Sequence, residues 1–176
     1  MKYFRISCLT LLAIANTALA GVDEALLKTL PNVREPQTNR IVSGAIGATD
    51  IGRIRAAGVK HVINLRTPQE MQDLNEGDIA KGLGLDYHSI PIAGAQSLTR
   101  ENASKLDEAL KQAGDDPTVV HCASGNRVGA LIALREAWIN GKSTDAAIAE
   151  GKRWGLTSLE GAVRTKLEET PKAEKK

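Results

Sequence analysis

Hydrophobic and polar positions follow two alternating patterns along the chain. Short apolar runs rich in β-branched residues, bounded by turn residues, predict strands. Between them lie longer segments with the periodicity of amphipathic helices. The predicted strands are 40–44 (RIVSG), 61–65 (HVINL), 86–92 (DYHSIPI) and 118–121 (TVVH).

Helices are predicted from periodicity, caps and stop signals in the segments 49–57, from 68 onward, 99–113, 127–140, 144–154 and 158–169. Thr49 or Asp50 caps the first, Thr99 caps the third, and the last follows the capping box Thr157–Glu160. The second is weakened by the sequence NEGD. This alternation predicts an α/β fold with a mainly parallel, about four-stranded sheet covered by helices on both faces.

The amino-terminal residues have the pattern of a secretory signal. Lys2 and Arg5 precede the apolar run ISCLTLLAIA, which is too short to span a bilayer, and ALA at 18–20 offers small residues for cleavage. We therefore expect residues 1–20 to be a signal peptide, cleaved after Ala20. The mature protein is expected to be periplasmic or secreted and not bound to a membrane; a retained membrane anchor at residues 1–20 is the alternative.

The remaining chain divides by composition into three parts. Residues 21–38, which include Pro31 and Pro36, are predicted to be a lead-in segment. Residues 39–170 are long enough for one domain with a substantial core. Residues 171–176 are predicted to be a solvated, charged tail.

Removal of the signal changes both the charge balance and the cysteine count. The full chain has 23 Lys and Arg against 21 Asp and Glu, and loss of Lys2 and Arg5 leaves 21 of each. This balance and the low aromatic content, 3%, argue against a nucleic-acid partner. With Cys8 removed, Cys122 cannot form an internal disulfide. In an oxidising compartment a free thiol is expected to be buried or used in chemistry.

The candidate site is the sequence VVHCASGNRVG, residues 119–129. Cys122 follows a predicted strand, and open α/β sheets place their sites beyond the carboxyl ends of strands. A thiolate is the reactive form of cysteine, and a glycine-containing loop, a helix amino terminus and an arginine fork can stabilise both a thiolate and a bound anion. The predicted anion-binding loop is Ala123, Ser124, Gly125 and Asn126, with Arg127 as the clamp. The alternative is a structural cysteine buried in a strand-to-helix turn.

From about Arg40 to Leu167 the chain resembles the protein-tyrosine and dual-specificity phosphatase superfamily. It is most similar to the phosphatase-like domain also found in β-lactamase-hydrolase-like proteins, some of which are called sulfur transferases. The matching sequences are SGAIGATDIGRIRAAGVKHVINLR, YHSIPI, HCASGNR and GLTSLEGAVRTKL. The resemblance implies a phosphatase-like fold, Cys122 as nucleophile, Arg127 as anion clamp and the 123–126 backbone as cradle.

Two further residues are candidates for support of this loop. The resemblance implies that His121 orients the loop by hydrogen bonds, although a satisfied core histidine is an equal alternative. Arg66, at the end of HVINL, could reach the same crevice as a second anion contact, although a solvent-facing arginine is the more ordinary interpretation. No set of histidine, cysteine and carboxylate residues has metal-ligand spacing, so neither a metal nor a cofactor is expected.

Three departures from the phosphatase pattern concern the chemistry. Phosphatases of this superfamily have five residues between cysteine and arginine, whereas this chain has Ala123 to Asn126, the spacing of rhodanese-type sulfurtransferases. The loop after YHSIPI has no aspartate to serve as general acid, and Val128 stands where phosphatases often have Ser or Thr. An alkoxide leaves slowly without a proton donor, but a thiolate leaves readily.

The sequence therefore predicts an exported cysteine-dependent enzyme acting on a small anionic substrate. Sulfane-sulfur transfer through a persulfide on Cys122 is the favoured reaction, with a thiol as a candidate acceptor. Hydrolysis of phosphomonoesters through a phosphocysteine is a close alternative. A non-catalytic anion-binding module is the third.

Overall fold

A computed structural model describes residues 22–169 of the chain. The predicted signal peptide, 1–20, and the predicted charged tail, 171–176, lie outside the described residues. Within 22–169 no helix is both long and apolar enough to cross a membrane.

The core of the fold is a five-stranded sheet. Its strands are β1 (Arg34–Gln37), β2 (Arg40–Ser43), β3 (His61–Asn64), β4 (Asp86–Ser89) and β5 (Thr118–His121). Their order across the sheet is β1-β2-β5-β3-β4, and every pair is parallel except β1 with β2. All four predicted strands are present, and the mainly parallel α/β class is confirmed.

Seven α-helices within 22–169 complete the fold. They are α1 (Glu24–Leu27), α2 (Ala48–Ala56), α3 (Glu76–Gly82), α4 (Arg100–Ala113), α5 (Asn126–Trp138), α6 (Thr144–Arg153) and α7 (Glu160–Glu169). Short 3-10 helices lie at Pro68–Met71 and Ala95–Ser97.

The fifth strand, β1, corrects the expected count of about four. It lies within the segment 21–38, which was expected to be only a lead-in, and it includes Pro36, which has no N–H to donate to a neighbouring strand. β1 is at the edge of the sheet, where a missing donor is tolerated. The Pro36 carbonyl accepts a hydrogen bond from Arg153 of α6, so this segment is attached to the domain that follows it.

The structure has the predicted helix start where the capping side chain binds the first turn of its own helix. The Thr99 hydroxyl accepts the Asn102 N–H at 3.2 Å and caps α4, as predicted. Helix α2 instead begins after Gly47, whose N–H donates to the Asp50 carboxylate at 3.0 Å. Asp50 therefore stabilises this helix start from its first turn and does not occupy the cap position.

The helix predicted from Pro68 onward is instead a short 3-10 helix, Pro68–Met71, and helix α3 begins only at Glu76, within NEGD, where the sequence had predicted a weakening of the helix. The Asn75 side chain accepts the Asp78 N–H at 3.4 Å and caps the helix. Gly77 is tolerated because the Tyr87 ring packs against it, and a β-carbon there would lie 3.1 Å from Tyr87 Cε1. The glycine thus allows β4 and α3 to approach closely.

Apolar side chains fill both faces of the sheet. Successive strand residues point to opposite faces, so Val119 belongs to one hydrophobic cluster and Val120 to the other. The first cluster joins the sheet to α1, α2 and α3, and the second joins it to α4, α5, α6 and α7. Helices on both faces were predicted and are present.

Helices α5 and α6 cross at two glycines. A β-carbon at Gly129 would lie 2.0 Å from the Leu156 nitrogen and 2.4 Å from the Gly151 oxygen. A β-carbon at Gly151 would lie 2.6 Å from the Gly129 oxygen. All of these neighbours are backbone atoms, so the two helices cannot accept a side chain at the crossing without moving apart.

We expect Gly129→Ala to destabilise the protein by about 3 kcal/mol, because overpacking against backbone forces the helices to separate. Gly52→Ala in α2 is the matched control, since no atom lies within 4 Å of its β-carbon position. Alanine has a higher helix propensity than glycine, so Gly52→Ala should raise the free energy of unfolding by about 0.5–1 kcal/mol. Urea unfolding of both variants measures the difference, and equal stabilities would contradict the close crossing.

Candidate active site

Cys122 follows β5 directly and is fully buried. Gly125 has φ of +89°, which favours glycine, and it caps the amino terminus of α5. This turn directs the Gly125 N–H to the Cys122 Sγ atom at 3.1 Å. The chain therefore passes from a central strand, through a tight loop around one sulfur, into a helix.

The loop is held on one side by the connection that follows β2. The Ala45 N–H donates to the Ala123 carbonyl at 3.1 Å. Gly44 permits this approach, because a β-carbon there would be 3.0 Å from the same oxygen. The Gly44 N–H in turn donates to the Pro31 carbonyl at 2.6 Å. Residues of the predicted lead-in segment thus support the loop.

On the other side the Asn126 side chain binds the turn before α7. Its amide oxygen accepts the Thr157 N–H at 2.8 Å, and its amide nitrogen donates to the Ser158 hydroxyl at 2.7 Å. The first N–H groups of a helix have no partners within it, so the start of α5 keeps donors for an anion. The Asn126 side chain therefore attaches the 123–126 loop to the turn before α7.

Arg127 is oriented by a carboxylate and a carbonyl. Its two terminal nitrogens donate to the two oxygens of Glu70, at 2.8 Å from Nη1 and 2.5 Å from Nη2. Nη1 also donates to the Ile92 carbonyl at 2.6 Å. A guanidinium has five donors, so the remaining N–H groups can bind an anion in a fixed orientation.

This ion pair changes the titration of both partners. Hydrogen bonds from Arg127 and from the Thr67 N–H lower the pKa of Glu70 to about 2, although burial opposes this. The hydrogen bond to Glu70 raises the pKa of Arg127, and the nearby Cys122 adds to this effect. At neutral pH the pair is therefore charged on both sides, and Glu70 has no proton to donate.

Arg66 contacts Glu70, the residue that orients Arg127. It donates a hydrogen bond to the Glu70 carbonyl. Its backbone N–H donates to the Asn64 side chain at 2.7 Å. The structure brings Arg66 to the residue that orients Arg127, whereas a direct contact between Arg66 and an anion stays a prediction.

His121, before the cysteine, points to the opposite face of the sheet. Its Nε2 lies 2.7 Å from Glu76 Oε1, and both side chains are fully buried. Beside them Asn64 donates to the Tyr87 hydroxyl at 2.8 Å. Burial raises the pKa of Tyr87 to about 12, the Asn64 hydrogen bond opposes this, and the neighbouring Glu76 adds to it.

No proton donor of the phosphatase type is found in the expected loop. Residues 90–99 contain neither Asp nor Glu. Of the two carboxylates described above, Glu70 is ionised on Arg127 and Glu76 is enclosed with His121. Among residues 22–169 no group of histidine, cysteine and carboxylate side chains could hold a metal ion.

Two residues of this site were missed in the sequence. Glu70 has a local signal, because Thr67 and Glu70 form a capping box in which both the Thr67 N–H and hydroxyl donate to its carboxylate. The capping box alone did not indicate that Glu70 would pair with Arg127. Glu76 was assigned only to a weak helix.

The fold defines a class of protein. The chain has the fold of the protein-tyrosine and dual-specificity phosphatase superfamily, as the sequence resemblance implied.

Three solved structures illustrate the likeness. A candidate phosphatase (DUF442) of Shewanella putrefaciens CN-32 is 22% identical, with a TM-score of 0.64 over 82% of this chain and 96% of that one. A candidate phosphatase of Neisseria meningitidis is 20% identical, with a TM-score of 0.62 over 78% and 97%. TpbA of P. aeruginosa, a cysteine-to-serine variant in complex with phosphotyrosine, is 15% identical, with a TM-score of 0.51 over 80% and 85%. No protein-family model and no curated protein sequence matches the chain.

We expect Glu70→Gln to destabilise the protein by about 1 kcal/mol at pH 7, since water screens this partly exposed pair. The pKa of Glu70 is lowered by folding, so its contribution is complete above its ordinary value of 4.5 and is lost as the pH falls towards about 2. Urea unfolding at several pH values should show that the free energies of unfolding of the unmodified protein and of Glu70→Gln become equal in acid. Glu108→Gln, on an exposed carboxylate of α4, is the control. A difference that did not change with pH would contradict the ion pair.

Proposed function

We propose that the protein is a cysteine-dependent enzyme of tyrosine-phosphatase-like fold that transfers sulfane sulfur from a small anionic donor. The observation that carries the proposal is the 3.1 Å contact between Cys122 Sγ and the Gly125 N–H at the start of α5. A thiolate at this position is stabilised by the donors that also bind the anion. Arg127, oriented by Glu70, supplies the clamp.

The proposed reaction has two displacement steps. The Cys122 thiolate attacks the outer sulfur of thiosulfate or a similar donor, a new S–S bond forms, and sulfite leaves with the electron pair of the broken bond. An acceptor thiolate then attacks the outer sulfur of the persulfide. The acceptor leaves as a persulfide, and Cys122 returns to the thiolate.

Three features favour sulfur over phosphate. The loop has only four residues between Cys122 and Arg127, so it offers fewer N–H groups and a narrower cradle than the phosphatase loop. Sulfite and thiolates leave without a proton, whereas an alkoxide requires an acid that residues 90–99 do not supply. The absence of a hydroxyl at Val128, next to the clamp, agrees with this preference.

Hydrolysis of phosphomonoesters is the second candidate function. It is supported by the fold, because the similar solved structures include proteins described as phosphatases and one bound to phosphotyrosine. In this reaction Cys122 would form a phosphocysteine that water hydrolyses. Only esters with good leaving groups should react quickly, since no acid protonates a poor one.

We also propose that the protein acts outside the cytoplasm. The basic, apolar and small-residue pattern of residues 1–20 supports export and cleavage after Ala20. A single remaining thiol, fully buried at the base of its loop, is consistent with a cysteine kept from oxidation between reactions.

The test of sulfur transfer is the intact mass of the purified protein after exposure to thiosulfate or polysulfide. We expect a gain of one sulfur, about 32 mass units, that cyanide or a reductant removes. Cys122→Ser should show no gain, because no other thiol is left after cleavage. Phosphoserine and aryl phosphates are assayed in parallel.

The outcomes separate the candidates. Rapid hydrolysis of phosphoserine without a persulfide would refute sulfur transfer and indicate an acid at the site. Slow hydrolysis restricted to aryl phosphates is compatible with sulfur transfer. No reaction of either kind, with tight sulfate binding, would favour the non-catalytic module.

For export, we expect amino-terminal sequencing of the protein from the cell envelope to start at Gly21, because the cleavage motif ends at Ala20. The reduced mature protein should then contain one titratable thiol. A sequence starting at Met1 would contradict the proposal.

A further inference from the structure

The buried contact between His121 and Glu76 has no part in the reaction proposed above. Glu76 is the first residue of α3 and is 1% exposed, although a carboxylate at a helix start usually points to solvent. Burial of a carboxylate is costly unless a partner compensates it. His121 Nε2, at 2.7 Å from Glu76 Oε1, is that partner. A contact this costly at the base of the reactive loop suggests a role beyond folding.

Glu76 is also the partner that determines which nitrogen of His121 carries the proton. A carboxylate in its ionised form can only accept, so pairing with such a group would place the proton of a neutral His121 on Nε2. His121 Nδ1 is buried and has no hydrogen-bond partner among residues 22–169. Within this part of the chain no second hydrogen bond to the ring therefore competes with the one to Glu76.

The effect reaches Cys122 through the backbone. His121 and Cys122 are neighbours at the end of β5, and their side chains point to opposite faces of the sheet. The His121 carbonyl also accepts the Leu65 N–H at 2.8 Å. The His121 ring is held on one face of the sheet, and the His121 carbonyl is held by Leu65, directly after β3. Together these two contacts fix the position of the backbone at Cys122, where the loop begins. Small errors in such positions reduce reaction rates strongly.

We propose that Glu76 is a positioning residue for the reaction at Cys122, acting by holding His121 with its proton on Nε2. The proposal rests on Cys122 being the reactive group, as in the proposed function, but it does not depend on whether sulfur or phosphate is transferred. Glu76 itself touches neither the sulfur nor the anion loop. Its influence passes through the imidazole ring and the strand.

The first measurement is the nitrogen NMR spectrum of His121 in the unmodified full-length protein at about pH 8, where histidine is ordinarily neutral. We expect a protonated signal for Nε2 and a non-protonated signal for Nδ1. The Glu76→Gln variant should show a mixture of tautomers, because an amide can accept from or donate to Nε2. A proton on Nδ1 in the unmodified protein would overturn the proposal, whatever reaction Cys122 performs.

The second measurement is the rate at which iodoacetamide alkylates Cys122, with and without sulfate. We expect Glu76→Gln to lower the alkylation and persulfide-formation rates about tenfold while sulfate protects as well as before. Glu76→Asp, which keeps the carboxylate, should recover part of the rate. Unchanged rates in Glu76→Gln would overturn the proposal.

Glu136→Gln is the matched control for a purely structural effect. Glu136 is a buried carboxylate on α5 that contacts Arg135 and Lys142, and it lies ten residues, about 15 Å, along the helix from Asn126. It should lose stability to urea without a change in alkylation rate. If both variants lost stability and rate in the same proportion, Glu76 would be a structural residue only. A reactive Cys122 that formed no persulfide would remove the sulfur proposal and leave this one intact.

Discussion

The central place of β5 in the sheet is the constraint on which the rest of the structure depends. β5 pairs in parallel with β2 on one side and β3 on the other, and all four of its residues are buried. Parallel strands end at the same edge of a sheet, so the residues after β2 and β3 necessarily flank the residues after β5. Ala45 on one side and Leu65 on the other bind the backbone at Ala123 and His121. The loop that follows β5 is thus held by the connections after β2 and β3 as well as by its own strand.

Local patterns in the sequence were sufficient for most of the fold. The four parallel strands, the Thr99 cap and the strand–loop–helix sequence from Val119 to Gly129 each depend on neighbouring residues and were predicted. β1 was missed because Pro36 is unfavourable in most strands, and only the sheet order shows that it lies at an edge. The start of α3 was missed because the reason for Gly77, the Tyr87 ring, comes from another element.

The carboxylates that pair with Arg127 and His121 could not be predicted from local sequence patterns. Glu70 and Arg127 are 57 positions apart, and Glu76 and His121 are 45 positions apart. No periodicity connects such residues, because their contact exists only after the strands have paired. The candidate residues Cys122 and Arg127 could be proposed from the local motif, but the carboxylates that contact Arg127 and His121 could not. Both carboxylates come from the connection after β3, residues 65–76, which the sequence indicated only as an uncertain helix.

The crossing of α5 and α6 bears on how mutations in this chain should be interpreted. Gly129 lies two residues after Arg127, so it reads as an extension of the candidate motif, yet a β-carbon there would meet the backbone of Gly151 and Leu156. Selection against any side chain at Gly129 would therefore operate on the amount of folded protein in the cell. In a mutational scan scored by activity, substitutions at Gly129 and at the proposed nucleophile, Cys122, would both lower the signal. Only a separate measure of abundance would distinguish the residue that packs two helices from the proposed nucleophile.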